Sequence, residues 1–332
     1  MRGEVKNANQ ELLYSTVLIA IVAAVIIVLP LSLERYPEAD YEIIYGKCAR
    51  SFIEWTTAAD RFDLEVLDKY WSIDGEHPSA VKIMSGITWA IFNKTIGDLS
   101  ALRLATIINF SVLIVVLYMF GRRFLNKSLS LCACLLMLSI PDVIKYAKFA
   151  EININVSLFW VLAVFFFLKG LEGNKRWVYA AGAVTGIGLG SRITTLVVPV
   201  SILIWMLIYQ RKKLLGLYVP FLLAGIAVFF LIWPSLWSSP VSRLTQHIRY
   251  HAAIIMASGT GSWYISFKSL LFSIPPGLLV LFMLGVVKIA RERQSIEILP
   301  LILIFVMVGV FSFPYLYPQE GARYFLPVMP YS

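Results

Sequence analysis

The sequence is poor in charged residues, which make up only 15% of the 332 residues, whereas hydrophobic residues make up 59%. Soluble domains of this size carry about 25% charged residues. The mean hydropathy is +0.76. These values exclude a soluble globular enzyme and a disordered chain. They indicate a polytopic membrane protein in which membrane segments form the main architecture.

Cysteine is scarce too, and its spacing excludes two kinds of site. Cys132 and Cys134 lie inside an apolar stretch, and Cys48 lies far away in a polar one, so neither a disulfide scaffold nor a CxxC metal site is present. The pair Gly186 and Gly188 falls inside an apolar run with no strand pattern before it, which disfavours a nucleotide-binding loop.

Long apolar runs dominate what is present, and a membrane-spanning helix needs about 20 such residues. The first run follows Arg2 and Lys6, but it is longer than a signal-peptide core and lacks a cleavage site, which predicts an uncleaved helix. We therefore predict an all-α polytopic membrane protein, a single domain over 1–332. Its nine predicted spans are 12–33, 104–121, 128–144, 152–168, 177–191, 193–209, 214–236, 269–287 and 297–313.

The basic residues are distributed unevenly between the loops. Alternate loops, around 2–6, 122–127, 169–176, 211–213 and 288–293, collect fourteen basic residues against five acidic ones. The positive-inside rule then predicts a cytoplasmic N-terminus. The basic excess is thus a topology signal, and nucleic acid need not be invoked as a partner.

The polar stretch 34–99 is too long for a turn and is predicted to be an extracytoplasmic loop with its own structure. Apolar residues recur at spacings of three and four from Ile44 to Ala59, which predicts an amphipathic helix on the membrane face. The segment 79–93 is apolar but short, and Lys82 interrupts it, so we predict an interfacial helix there.

Several short motifs follow one another on the predicted outer face. The first two are Asp40-Tyr41-Glu42 and His77-Pro78-Ser79-Ala80, and the last is Glu320–Pro327. Between them lie Arg103, Gly121–Phe124, Pro141, Glu151 and Arg192. In this order they resemble the GT-C class of membrane glycosyltransferases. In particular, they resemble the branch that contains the protein O-mannosyltransferases and the aminoarabinose transferase of lipid A.

The resemblance implies transfer of a sugar from a polyprenyl-phosphate donor to a hydroxyl acceptor on a protein, a lipid or an envelope glycan. The reaction would invert the anomeric carbon at the non-cytoplasmic face of the plasma or inner membrane. The chain departs from the family at Tyr41, where glutamate is common, and at Ser79-Ala80, where Pro-Leu is common. The family also continues with further spans, so the resemblance implies a longer protein than one ending at Ser332.

Two carboxylates are candidates for the chemistry of transfer. The attacking hydroxyl needs a general base, and Asp40 lies close behind the first predicted span. The alternative is that Asp40 caps the amphipathic helix. Glu151 is a candidate second carboxylate that orients the acceptor or binds a metal. Its alternative role is a helical ion pair with Lys148.

The departing phosphate needs fixed positive charge, for which His77, Arg192 and Arg323 are candidates. Their alternatives are an exposed loop histidine for His77 and lipid snorkelling for the arginines. Arg103 has the same two interpretations as Arg192, phosphate binding and snorkelling. A divalent metal ion is a further option, with Asp40, Glu151 and His77 as its candidate ligands.

Other features have simpler interpretations. Four glycines within 177–191 favour close helix packing. His247 and His251 are spaced as metal ligands on a helix, but no glutamate lies between them, which favours an amphipathic turn. Trp233 and Trp237 fit an interfacial aromatic belt. A transporter or flippase of lipid-linked glycans and a structural subunit of an envelope complex are the competing functions. The clustering of acids in 34–99 favours surface chemistry over translocation.

Overall fold

The computed structural model describes residues 2–33, 37–74, 80–257, 264–292, 295–312 and 322–331. Within these ranges the regular elements are all helical. The first eight are α1 (Arg2–Leu31), α2 (Asp40–Thr57), α3 (Leu64–Trp71), α4 (Ala80–Ile96), α5 (Asp98–Gly121), α6 (Lys127–Leu138), α7 (Pro141–Tyr146) and α8 (Ile152–Leu171). The next eight are α9 (Arg176–Leu189), α10 (Val197–Tyr209), α11 (Leu214–Ile232), α12 (Ser235–Ser238), α13 (Pro240–Ala257), α14 (Tyr264–Ser273), α15 (Pro276–Glu292) and α16 (Ser295–Phe311). Short 3₁₀ helices include Ile193–Leu196 and Ala322–Tyr331.

Helix α8 is the centre of the bundle. Beyond the polar residues Asn153, Asn155 and Ser157 near its start it is almost entirely apolar, as expected of a helix in a protein core or a membrane. It packs against α5 on one side, α9 on another, and the 3₁₀ helix Ala322–Tyr331 on a third. Trp160 and Phe167 of α8 are fully buried. The outer end of this central helix therefore has a fixed position relative to its neighbours.

The prediction of apolar helices that can span a membrane is confirmed, whereas the predicted number of nine is not. Within the described residues, four helices are long and apolar enough to cross a membrane: Gln10–Leu31, Asp98–Gly121, Ile152–Leu171 and Arg211–Ile232. Shorter apolar helices cover Lys127–Leu138, Ile193–Tyr209 and Ile296–Phe311.

Prolines divide two of the predicted spans. The predicted span 128–144 breaks before Pro141, which begins α7. The predicted span 269–287 breaks at Pro275, between α14 and α15. The residue before a proline is disfavoured in the α conformation, so helices end there.

The segment between α1 and α5 forms three helices, one more than the sequence pattern predicted. The additional helix is α3. Its N-cap is Asp63, whose carboxylate accepts hydrogen bonds from the backbone N–H of Glu65 (2.8 Å) and Val66 (3.4 Å). Helix α4 packs against α2 and α5. Gly97 joins α4 to α5 with φ +82°, a conformation that favours glycine. These helices form a cap over the end of the bundle where α5 and α8 begin.

Glycines bring the backbones of α9 and α11 into contact, as their spacing predicted. A Cβ atom on Gly186 would meet the carbonyl oxygen of Gly225 and lie 3.0 Å from the backbone nitrogen of Phe229. A Cβ atom on Gly182 would meet the carbonyl oxygen of Phe221. Because these neighbours are backbone atoms, they can yield only if the helices separate.

We expect Gly186→Ala to destabilise the folded protein by about 1–3 kcal/mol, because the added methyl group overpacks the α9–α11 contact. The measurement is chemical unfolding of the purified protein in detergent. Gly216→Ala in α11 is the control, since nothing lies within 4 Å of the position of its added Cβ. Equal stability of the two variants would contradict the close packing of these helices.

Candidate active site

A buried ion pair lies where the cap meets the bundle. Arg103 of α5 donates from Nε to Glu42 Oε1 (2.8 Å) and from Nη2 to Glu42 Oε2 (2.6 Å). Both side chains have no solvent exposure. A buried charge is tolerated when it is paired and hydrogen-bonded, and this bidentate arrangement meets both conditions.

The same two side chains connect segments that are distant in the sequence. Glu42 also accepts from the backbone N–H of Ala150 (2.7 Å) and Ala39 (3.0 Å). Arg103 also donates to the carbonyl oxygens of Leu33 (2.9 Å) and Pro37 (3.1 Å). The pair therefore fixes the end of α1, the start of α2 and the residue before Glu151 relative to one another. Arg103 therefore binds groups inside the protein, and it neither binds a lipid phosphate nor extends to the membrane surface.

Asp40 is the first residue of α2, and its side chain is exposed. The N-cap position belongs to Ala39, and the acid that accepts a hydrogen bond at this helix start is Glu42. The alternative role of Asp40 as the cap is therefore wrong. Because Asp40 is two residues from Glu42, and Glu42 binds the amide of Ala150, Asp40 and Glu151 belong to the same end of the bundle.

Glu151 is the N-cap of α8 and is 4% exposed. Its Oε1 accepts from the backbone N–H of Asn153 (3.2 Å) and from the side-chain amide of Asn153. The described hydrogen bonds of this carboxylate thus go to Asn153, and the alternative ion pair with Lys148 is not among them. Sequence reasoning identified Glu151 but missed Asn153.

Arg192 joins the same network. Its Nη1 donates to the side-chain oxygen of Asn153, so that one amide bridges the guanidinium and the Glu151 carboxylate. Arg192 is partly exposed, just beyond the end of α9. Gly190, which ends α9, accepts from the backbone N–H of Ala80 (2.7 Å). The start of α4 is therefore attached directly beside Arg192.

Further buried amides extend this network into the bundle. The side chain of Asn155 donates to the backbone oxygen of Glu151 (2.5 Å) and to Thr106 Oγ1 (3.5 Å). It also accepts from Asn109. Asn153 and Asn155 interrupt an apolar span, and polar residues inside a span are a signal of function. That signal was available in the sequence.

A second buried ion pair lies under α2. Lys82 Nζ and Asp74 Oδ2 are 2.8 Å apart, and each side chain is 7% exposed. This pairing explains how a lysine fits into the apolar pattern of α4. The pair lines a small pocket together with Cys48, Trp71 and Trp233. Burial raises the pKa of the Cys48 thiol, an effect that nearby Lys82 partly offsets, so the thiol stays protonated at neutral pH.

Two of the predicted site residues have no described side chain. His77 lies outside the described residues, in the segment that ends at Ala80. Arg323 belongs to the 3₁₀ helix Ala322–Tyr331, of which the backbone is described and which packs against α8 and α16. His247 is buried edge-on against Trp233, with ring centroids 5.1 Å apart, which fits a packing role.

Among the described residues, Asp40 and Glu151 do not belong to a cluster of metal-binding side chains. Within the described ranges, no group of three or more His, Cys, Asp and Glu side chains could hold a metal ion. Glu151 lies among amides and a guanidinium, which repels a cation.

Comparisons with known proteins agree with the resemblance seen in the sequence. Residues 76–237 match the family of dolichyl-phosphate-mannose-protein mannosyltransferases. The fold is similar to ArnT from Cupriavidus metallidurans bound to undecaprenyl phosphate, with a TM-score of 0.72 and 16% identity. The apo state of that ArnT gives a TM-score of 0.67 and 17% identity. Each of the two ArnT structures is matched over 96% of this chain.

The chain spans 58% of the length of the ArnT structures. No curated protein sequence matches it. Over the part of ArnT that it spans, the chain has the same fold, and its predicted resemblance to the GT-C glycosyltransferase branch of ArnT and the protein mannosyltransferases is confirmed.

Proposed function

We propose that the protein is a glycosyltransferase that moves a sugar from a polyprenyl-phosphate donor to a hydroxyl acceptor. The observation that carries the proposal is the hydrogen-bonded series Glu151–Asn153–Arg192, which holds an acid and a guanidinium together at one end of the bundle. The ArnT crystal structure with undecaprenyl phosphate supports this class of donor. The positive-inside pattern supports a site on the non-cytoplasmic face.

The donor phosphate is the group that Arg192 suits. A guanidinium binds a phosphate through two parallel hydrogen bonds, and its charge stabilises the phosphate as the bond to the sugar breaks. Asn153 binds Nη1 of the guanidinium and holds Arg192 beside the Glu151 carboxylate. We assign Arg323 and His77 to the same phosphate as additional donors.

Proton transfer requires a carboxylate that substrate can reach. Asp40 is exposed at the start of α2, whereas Glu151 is buried and already hydrogen-bonded. We therefore assign Asp40 as the general base that takes the proton of the acceptor hydroxyl. Attack by that hydroxyl opposite the departing phosphate inverts the anomeric carbon. Glu151 then orients Asn153 and, through it, Arg192.

The decisive experiment compares a deletion strain with a complemented strain by mass spectrometry of glycans and lipid-linked intermediates. We expect the deletion to lose one glycan modification and to accumulate a polyprenyl-phosphate sugar on the outer leaflet. Accumulation confined to the cytoplasmic leaflet would contradict the proposal and favour the competing function, a flippase. The sugar and the acceptor are read from the same spectra.

We expect Arg192→Lys to raise the KM for the lipid donor about tenfold, the equivalent of one lost charge-assisted hydrogen bond. Lysine keeps the charge but binds the phosphate as a single point. The measurement is the initial rate of transfer against donor concentration in proteoliposomes. Arg50→Lys is the matched control, because Arg50 pairs with the exposed Asp98. An unchanged KM for Arg192→Lys would remove Arg192 from the phosphate site.

A further inference from the structure

Helix α13 begins close to the end of a membrane-spanning helix. The apolar segment Arg211–Ile232 is long enough to cross a membrane. Only residues 233–239 separate it from α13, which begins at Pro240. Trp237 lies in this short connection and is partly exposed, and aromatic side chains favour the level of the lipid headgroups. The start of α13 therefore lies at the membrane surface.

One side of α13 is attached to the protein. Arg243 donates to the carboxylate of Asp68 in α3 (2.5 Å). One turn later, His247 is 4% exposed and packs edge-on against Trp233. Residues four apart share a helix face, so these contacts define the side of α13 that faces the rest of the chain.

A second side carries an exposed apolar stripe, formed by Val241, Leu244 and Ile248. Their exposed fractions are 80%, 37% and 57%. They recur at spacings of three and four, as on one face of a helix. Exposure of three neighbouring apolar side chains to water is costly, because the hydrophobic effect favours their transfer to an apolar environment.

The third side is polar and exposed. Ser242, Gln246 and Arg249 lie on it. The helix sequence contains two arginines and no acidic residue. A cationic polar side next to an apolar stripe is the pattern of helices that lie in the plane of a membrane surface.

We propose that α13 lies in the membrane surface, with the apolar stripe in the lipid and the side bearing Arg249 among anionic headgroups. The partner is thus a lipid surface and not a second protein chain. The three sides of α13 then face three environments: the attached side faces the protein, the apolar stripe faces the acyl chains, and the polar side faces the headgroups and water. Arg243 is paired with Asp68, and the charge of Arg249 complements the phosphate groups of the lipid headgroups.

The test uses nitroxide labels on single cysteines in the full chain. Ile248→Cys reports on the apolar stripe, and Gln246→Cys, two residues away, is the matched control on the polar side. The background carries Cys132→Ala, which removes the one exposed native cysteine among the described residues. The protein is reconstituted into vesicles of phosphatidylcholine with phosphatidylglycerol. Power saturation then measures the collision rate of each label with oxygen and with a water-soluble nickel chelate.

We expect oxygen to dominate the collisions at position 248 and nickel to dominate at position 246, so that the ratio of the two rates reverses between the labels. Nickel dominance at both positions would overturn the proposal, because the stripe would then face water. A label at 248 shielded from both reagents would overturn it too, in favour of a protein cover. If Ile248→Cys fails to fold, Val241→Cys repeats the measurement on the same stripe.

Discussion

Glu42→Gln is expected to lower the free energy of unfolding by about 3–5 kcal/mol, because it leaves the buried charge of Arg103 uncompensated. Neither side chain of this pair has any solvent exposure. Water cannot take over the role of the carboxylate there, as it can at the surface. The measurement is equilibrium unfolding in detergent micelles, followed by the fluorescence of the nine tryptophans.

A matched control is available at a surface pair. Glu172 accepts from Arg123 at the same distance, 2.6 Å, but its side chain is 63% exposed. Glu172→Gln should therefore change the stability by about 0–1 kcal/mol. A double variant, Glu42→Gln with Arg103→Met, should be more stable than Arg103→Met alone, since no isolated charge remains. A double variant less stable than either single variant would argue against charge as the cause.

Asp40→Asn is expected to reduce the rate of sugar transfer about 10²–10⁴-fold, the usual contribution of a general base. Asparagine keeps the size of the side chain but cannot accept the proton. Because the side chain of Asp40 is exposed, the variant should fold and insert like the parent protein. The measurement is the transfer rate at saturating donor in proteoliposomes, with protein amount fixed by blotting.

Asp60→Asn serves as the control for Asp40→Asn, since Asp60 is an exposed acid in the turn that follows α2. It should leave the transfer rate unchanged. Retained full activity in Asp40→Asn would assign the base to another residue, and Glu151 would then be the first candidate. A rise in KM without a fall in kcat would assign Asp40 to binding.

The long-range contacts explain what the sequence could and could not predict. Apolar runs and basic loops identify helices such as α8, because a span is recognised from the hydropathy and length of one continuous segment. Breaks before Pro141 and at Pro275 also have a local cause, so attention to prolines would have corrected the predicted spans. The cap helix α3 was missed because it has only eight residues and one buried position.

The site was predicted only in part, because local patterns identify individual residues but not the contacts between distant ones. Glu151 and Arg192 were selected as ionisable residues at span ends, and they meet through Asn153. The pairing of Glu42 with Arg103 joins residues 61 positions apart, which no local pattern reveals. The sequence therefore left Arg103 as a candidate for lipid phosphate, although its guanidinium donates four hydrogen bonds inside the protein.

The Glu42 carboxylate also sets an order of assembly during synthesis. Its last hydrogen-bond donor, the amide of Ala150, leaves the ribosome 108 residues after Glu42 itself. Until both Arg103 and that amide have been synthesised, the carboxylate lacks part of its hydrogen-bond partners, and an incompletely paired buried charge is costly. Docking of the start of α2 therefore needs the chain up to Ala150, and nascent chains that end before it should leave α2 open to protease.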